Sequence, residues 1–324
     1  MTVIFRSALA KEMNDYLNLL QSAQRDIESY VSTFRSLDEY MHAAMVPEKE
    51  LSGSMLMDWI ASLSVADTTK NYEIARVRKF ARYLEAMGIP AYEPDFRRAS
   101  SAYKAYTFSD EEFKGIIRIA DSGGVCYTKA ESSIVFPALL RVLYGSGLRI
   151  GEALSLQWKN VDLDDGIITI MKAKNNRQRR VPISNSLKDL LARYRKRRFS
   201  DGDEAAFLFP NSEKEGRPYS KQTFAYWFSK VLEKSGIENR RMAPFERCIS
   251  PHTLRHYFTF KSFQKAVTEG RALEEMAPYL SVYLGHESFY GTERYITNDY
   301  TMYTDSQEKV SIAIQSLFPE VFFE

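Results

Sequence analysis

Residues 284–295 of the chain read LGHESFYGTERY, and two further segments upstream, HTLR at 252–255 and GLRIGE at 147–152, belong with it. In this order the three segments supply arginines at 149 and 255, histidines at 252 and 286, and a tyrosine at 295. The planar fork of arginine grips two oxygens of an anion at once. Histidine exchanges a proton near neutral pH, and a tyrosine oxygen becomes a nucleophile when nearby cations stabilise the phenolate. The set therefore suits a charged tetrahedral group that is held still beside a tyrosine.

Composition places the chain among ordinary globular proteins. Its 324 residues are 44% hydrophobic and 27% charged, enough for one large or two ordinary domains. The net charge of +2 means that affinity for nucleic acid would need a local basic surface. Cys126 and Cys248 lie far apart without CxxC spacing, which argues against a disulfide framework or a zinc site. With no signal peptide and no membrane-length apolar run, the expected location is the cytoplasm.

The first hundred residues read as helical, with no alternating strand pattern. Segments 8–24, 25–45, 56–63 and 68–87 carry apolar residues at three- and four-residue intervals. The apolar face of the last segment consists of Ile74, Val77, Phe80, Ala81 and Leu84. The basic residues Arg76, Lys79 and Arg82 lie outside it, and such a face is either simply solvated or turned toward nucleic acid.

Punctuating residues predict two domains, 1–96 and 106–324, with a polar linker at 97–105. Gly88 and Pro90 stop the last helix of the first domain. The second domain opens with the sequence SDEE at 109–112, a capping box ahead of an apolar run.

The second domain mixes helices with three β-like runs. Residues 167–171 and 179–183 flank a polar, basic hairpin segment, and 161–163 is a candidate first strand. Helical patterns cover 186–198, 221–235 and 252–269. The predicted fold class is therefore mainly α with a small antiparallel β-sheet.

The glycines at 145, 147 and 151 invite a dinucleotide-loop interpretation, but the third glycine is one residue late and a helix-like run precedes them. A turn followed by a helix that presents Arg149 fits better. Glu152 lies three residues on, so its carboxylate can hold the guanidinium, although a plain surface ion pair has the same spacing. His252 and Arg255 share the same interval on a helix that follows Pro251.

Residues 284–295 contain a helix-ending glycine, a histidine and a tyrosine at defined intervals. Leu284 and Gly285 would end a helix and expose His286, and Tyr295 follows nine residues later. His256, next to Arg255, points to another face and is interpreted as structural.

The order and spacing of these segments resemble the tyrosine recombinase (phage integrase) family, whose members cut and rejoin DNA through a 3′-phosphotyrosine bond. The resemblance implies a helical core DNA-binding domain and an α+β catalytic domain that form a C-shaped clamp around the duplex. The catalytic residues that it implies are Arg149, Lys174, His252, Arg255, His286 and Tyr295, with Glu152 in support. No metal, ATP or other cofactor is expected.

Each residue takes its role from the resemblance. Tyr295 attacks the phosphate, and Arg149 and Arg255 neutralise the charge that develops on its oxygens. His252 handles the proton of the nucleophile and His286 donates to the phosphate. Lys174 protonates the leaving 5′ oxygen, with Lys172 and Arg177 as nearby alternatives. The residues assigned to DNA binding are Arg76, Lys79, Arg82, Arg177 and Arg179.

The implied partners are double-stranded recombination sites, a homo-tetramer on two such sites, and accessory proteins that set direction. An apolar stripe in 305–318 either folds back on its own domain or docks into a neighbour, and the resemblance favours docking, as a C-terminal helix exchanged between protomers. The segment 270–275 looks like an insertion relative to the family. Type IB topoisomerase activity and a non-catalytic DNA-binding regulator remain as alternatives, and integration, transposition and chromosome resolution are not distinguished.

Overall fold

The computed structural model describes residues 3–25, 27–46, 48–98, 106–123, 125, 131–171, 178–199, 204–211, 216–239 and 248–285. Across these residues the chain is mainly helical, with one three-stranded antiparallel sheet, which confirms the predicted fold class. Contacts divide the described residues into two compact units, one formed by 3–98 and the other by 106–285. None of the described helices has the length and apolarity needed to cross a membrane.

The first unit contains four helices, α1 (Ala10–Ser22), α2 (Glu28–Ala43), α3 (Gly53–Ser62) and α4 (Asp67–Ala86). The five apolar residues predicted to share one face of α4 are the ones that it buries. They pack with aromatic rings from α1 and α2; the Phe34 and Phe80 centroids lie 4.7 Å apart. The apolar periodicity therefore identified the packing face correctly because burial follows the helical repeat.

The second unit has seven helices and three strands in its described part: α5 (Asp110–Asp121), α6 (Ser132–Ser146), α7 (Ile150–Leu154), β1 (Val161–Asp162), β2 (Ile167–Ile170), β3 (Arg179–Pro182), α8 (Asn185–Arg198), α9 (Lys221–Lys234), α10 (Pro251–Thr268) and α11 (Leu273–Leu284). The predicted capping box begins α5, with Ser109 Oγ accepting from the Glu112 amide at 3.1 Å. A buried helix, α6, precedes the glycine-rich segment, so this is not a dinucleotide-binding strand and loop.

The sheet has the order β1-β2-β3, with both pairs antiparallel. Ile168 and Val181 pair across β2 and β3 and are fully buried, and Ile170 pairs with Arg179 at the first residue of β3. The alternation of buried and exposed residues fixes this register, because a slip of one residue would turn the apolar side chains to solvent. The register thereby places Arg179 on a defined side of the sheet.

Helix α10 packs against α6, α9 and α11. The Tyr257 hydroxyl donates to Asp110 Oδ1 at 2.8 Å, and Lys261 pairs with the same carboxylate at 2.9 Å. Both interactions fasten α10 to the start of α5. The segment 270–275, which looked inserted, forms the turn between α10 and α11 and the first residues of α11.

Gly147 ends α6 in the left-handed conformation, with φ of +61°, and reverses the chain toward α7. A Cβ atom at this position would lie 2.9 Å from Phe258 Cε1 and 3.0 Å from Leu284 Cδ2. Glycine is required here both for the backbone conformation and for the close approach of α10 and α11.

We expect Gly147→Ala to destabilise the protein more than Gly270→Ala, measured by urea unfolding. Gly270 also has positive φ, at +76°, but no atom of the described residues lies within 4 Å of the position of its Cβ. Both variants carry a left-handed penalty of roughly 1–2 kcal/mol. Gly147→Ala adds about 1–3 kcal/mol of overpacking against Phe258 and Leu284. Equal losses in the two variants would contradict the close packing at this turn.

Candidate active site

Arg149 is the N-cap residue of α7, the short helix that follows the Gly147 turn. The Glu152 carboxylate accepts from the Arg149 backbone amide at 3.0 Å and from Arg149 Nη1 at 3.1 Å. Glu152 is only 6% exposed, whereas the Arg149 side chain is 33% exposed. The carboxylate therefore holds the guanidinium from the protein side and leaves part of it accessible; the three-residue spacing predicted the contact between the two side chains.

A second guanidinium approaches the same carboxylate from β3. Arg179 Nη1 and Nη2 donate to the two oxygens of Glu152 at 2.9 and 2.8 Å, and Arg179 Nε donates to the Tyr283 carbonyl at 3.0 Å. The Arg179 side chain is 10% exposed. The sequence predicts that Arg179 binds DNA; its observed contacts instead are to a carboxylate and a helix end within the protein.

Arg255 lies on α10 and is 1% exposed. Its Nη1 donates to the Gly147 carbonyl at 2.8 Å and its Nη2 to the Leu284 carbonyl at 2.6 Å. Arg149 Nη2 reaches the next carbonyl, that of Gly285, at 3.4 Å. The two arginines predicted to act together thus donate to consecutive carbonyls at the end of α11, directly before His286.

His252 is exposed at the second position of α10, one residue after Pro251. Its ring meets that of His256 edge to face, with 4.7 Å between centroids. His256 therefore does not point away from the site: residues four apart on a helix share a face, a signal that the sequence already contained.

Electrostatics keep Glu152 ionised. Burial raises the pKa of a carboxyl, but hydrogen bonds from Arg179 and the Arg149 amide, together with the charges of both guanidinium groups, bring the pKa of Glu152 down to about 2. Among the four charged side chains, Arg149, Glu152, Arg179 and Arg255, three are cationic and one is anionic. This arrangement favours an anion beside the partly exposed Arg149.

Other predicted residues lie elsewhere. Lys174, Arg177, His286 and Tyr295 fall outside the described residues, as does the segment 305–318. The remaining three, Arg76, Lys79 and Arg82, are on α4 of the first unit.

The α4 residues differ in how their charges are used. Arg76 donates to Glu73 and Thr33, and Arg82 forms a two-point pair with Glu93. Lys79 is exposed, and no ion pair is found for it within the described part of the chain.

Two features of the site are not predicted by the sequence. The first is the role of Arg179, whose partners Glu152 and Tyr283 lie 27 and 104 residues away, so no local spacing marks them. The second is the set of backbone carbonyls that accept hydrogen bonds from the arginines. Within the described ranges, no group of three or more His, Cys, Asp or Glu side chains is arranged to hold a metal ion.

Residues 108–302 match the phage integrase family. The tyrosine recombinase XerD of Rhizobium meliloti is 25% identical over 297 residues, covering 90% of this chain and 88% of the relative. Two solved structures share the fold. The XerH site-specific recombinase bound to palindromic difH substrate has a TM-score of 0.63 at 18% identity, covering 87% of this chain and 79% of that one. The Tn1549 transposon integrase with circular intermediate DNA has a TM-score of 0.65 at 15% identity, covering 92% and 99%.

The chain therefore belongs to the phage integrase family. It is a tyrosine recombinase, an enzyme of site-specific DNA breaking and rejoining.

We expect Glu152→Gln to lower the free energy of unfolding by on the order of 3 kcal/mol at pH 7, since an amide cannot balance two guanidinium groups. The pKa of Glu152 is about 2 in the folded protein against an ordinary value of 4.5, so its stabilisation is complete above pH 4.5. It is lost as pH falls toward 2. Urea unfolding of both proteins at pH 7, 5 and 3.5 should show the difference shrinking only in the most acidic sample.

The matched control is Glu233→Gln, which removes an exposed carboxylate paired with Lys230. This change should alter stability little at any of the three pH values. A constant difference between wild type and Glu152→Gln down to pH 3.5 and below would show that Glu152 is not the titrating group.

Proposed function

We propose that the recombinase cleaves DNA through Tyr295, with the arginine cluster binding the scissile phosphate. The supporting observation is that Arg149 and Arg255 both donate to the end of α11, at Gly285 and Leu284. His286 is the next residue along the chain, and Tyr295 follows nine residues later. The arginines are therefore held next to the segment that carries the nucleophile.

The two arginines have different roles in this proposal. Arg255 is fixed by two carbonyls and almost completely buried, so it supplies a rigid positive charge beneath the phosphate. Arg149 is a third exposed and presents its guanidinium to the phosphate oxygens. Donors that are already oriented stabilise a charge developing in the transition state without reorganising.

Proton transfers complete the reaction. The Tyr295 oxygen bonds to phosphorus as its proton passes to His252, and the bond to the 5′ oxygen breaks as Lys174 protonates that oxygen. His286 donates a hydrogen bond to the phosphate. His252 is exposed in the first turn of α10. Rejoining is the reverse reaction, so the phosphodiester energy is retained.

Residues 1–96 act as the core DNA-binding domain in this proposal, joined through 97–105 to the catalytic domain, 106–324. Among the three basic residues of α4, the exposed Lys79 is the best-supported contact to the DNA backbone, because Arg76 and Arg82 are paired with carboxylates. Arg177, beside the hairpin lysine, is assigned to the same role. A local basic surface is required since the net charge is only +2.

The proposal extends to the assembly of the protein on DNA. We assign a homo-tetramer on two DNA sites, in which the segment 305–318 docks on a neighbouring protomer. Helix α11 leaves Tyr279 and Val282 exposed three residues apart, an apolar surface of the kind that such docking covers. The location is cytoplasmic and the substrates are recombination sites of a mobile element, with accessory proteins setting direction.

Tyr295→Phe should bind DNA as wild type does but form no covalent adduct with a nicked suicide substrate, because the attacking oxygen is gone. Denaturing gels measure the adduct and fluorescence anisotropy measures the binding. Tyr290→Phe is the control and should still be trapped. An adduct on the Tyr295→Phe protein, or a peptide map that places DNA on Tyr290 or Tyr300, would reject the assignment.

Lys174→Ala should lose cleavage of normal DNA and regain it on DNA with sulfur in place of the bridging 5′ oxygen, since a thiolate leaves without a proton. Single-turnover cleavage rates on the two substrates measure this. Lys172→Ala should respond little to the sulfur. Should the sulfur rescue Lys172→Ala and leave Lys174→Ala inactive, Lys172 is the general acid.

A further inference from the structure

All three nitrogens of the Arg179 guanidinium donate hydrogen bonds within the protein. Nη1 and Nη2 hold the two oxygens of Glu152, and Nε holds the Tyr283 carbonyl, all at 2.8–3.0 Å. With a side chain that is 10% exposed, it differs from its neighbour Arg180, which is exposed on the same strand. A solvent-facing DNA contact needs neither this burial nor three oriented donors.

The contacts of Arg179 join three separate segments. Arg179 is the first residue of β3, five residues after Lys174. Tyr283 is in the last turn of α11, three residues before His286. Glu152 in turn holds the Arg149 amide and guanidinium.

Packing at the end of α11 is as close as the hydrogen bonding. Gly285 has φ of +66°, and a Cβ there would lie 3.1 Å from Arg179 Nη1 and 3.2 Å from its Cδ. The guanidinium therefore lies directly against the turn that leads to His286. A shift of the side chain would move the carboxylate, this turn and the start of β3 together.

We propose that Arg179 is a positioning residue for DNA cleavage, which holds Arg149, the segment leading to His286 and the strand after Lys174 in one arrangement without touching the phosphate. The proposal rests on the proposed roles of those residues. Lysine cannot replace it, because one ammonium group cannot span both oxygens of Glu152 and also reach the Tyr283 carbonyl.

The test uses the full-length protein and suicide DNA at saturating concentration, with Arg179→Gln, Arg179→Lys and the control Arg180→Gln. Single-turnover cleavage gives a rate constant and an amplitude, and anisotropy gives the affinity for DNA. We expect the rate constant to fall about 100-fold in both Arg179 variants, the effect of misplacing a catalytic group by about 1 Å. Amplitude and affinity should stay close to those of Arg180→Gln.

A second measurement tests whether Arg179 acts through Glu152. In a Glu152→Gln background, the additional effect of Arg179→Gln on the rate constant should be much smaller than in wild type, because the two residues act as a unit. Full additivity would contradict this route.

Three outcomes overturn the proposal. A lower amplitude with an unchanged rate constant means that Arg179 only keeps molecules folded, and a lower affinity with an unchanged rate means that it is a DNA contact. Arg179→Lys, which keeps the charge, decides the matter if Arg179→Gln does not fold; a wild-type rate in that variant removes the positioning role. If wild type itself forms no covalent adduct, the proposed function fails instead.

Discussion

The site depends on one buried carboxylate, that of Glu152, and on the hydrogen bonds and ion pairs that it forms. It is 6% exposed and receives donors from the Arg149 amide, the Arg149 guanidinium and both terminal nitrogens of Arg179. An unpaired carboxylate would be strongly unfavourable at this depth. The ion pairs offset the cost of burying the charge only because the hydrogen bonds satisfy both oxygens. Few other arrangements of these side chains would satisfy the carboxylate. The observed one connects α7 to β3 across 27 residues of sequence.

Helix C-termini supply the second constraint. Helices α6 and α11 both end in a left-handed glycine, Gly147 and Gly285, which leaves carbonyls without partners in the helix. These carbonyls carry the negative end of the helix dipole, so they attract guanidinium groups. Arg255 bonds to one carbonyl at each helix end, and the result is a crosslink among α6, α10 and α11.

These two constraints give the site its chemical character. The positive charges are oriented by contacts within the protein, with Arg255 buried and Arg149 partly open. A preorganised cationic site stabilises a phosphoryl transition state by position and charge, which is the main contribution that a protein makes to this chemistry. The geometry of the described arginines therefore supports the proposal that they bind the scissile phosphate.

The sequence by itself determined what depends on nearby residues. Helical periodicity and caps act within a turn or two, so the sequence predicted the apolar stripe of α4, the capping box of α5 and the glycine that ends α11. It also predicted the contact between Arg149 and Glu152, which are three residues apart. The family order of the motifs predicted that Arg149 and Arg255 would act together.

Only the tertiary structure decided which side chains the motifs rely on. Arg179 looked like one more basic residue of a polar hairpin, yet its partners come from α7 and α11. Arg255 bonds to carbonyls 108 and 29 residues away, and a backbone carbonyl has no signature in the sequence. The physical reason is that these contacts arise from helix ends and strands brought together by the packing of the core, whereas sequence spacing reports only neighbours along one element.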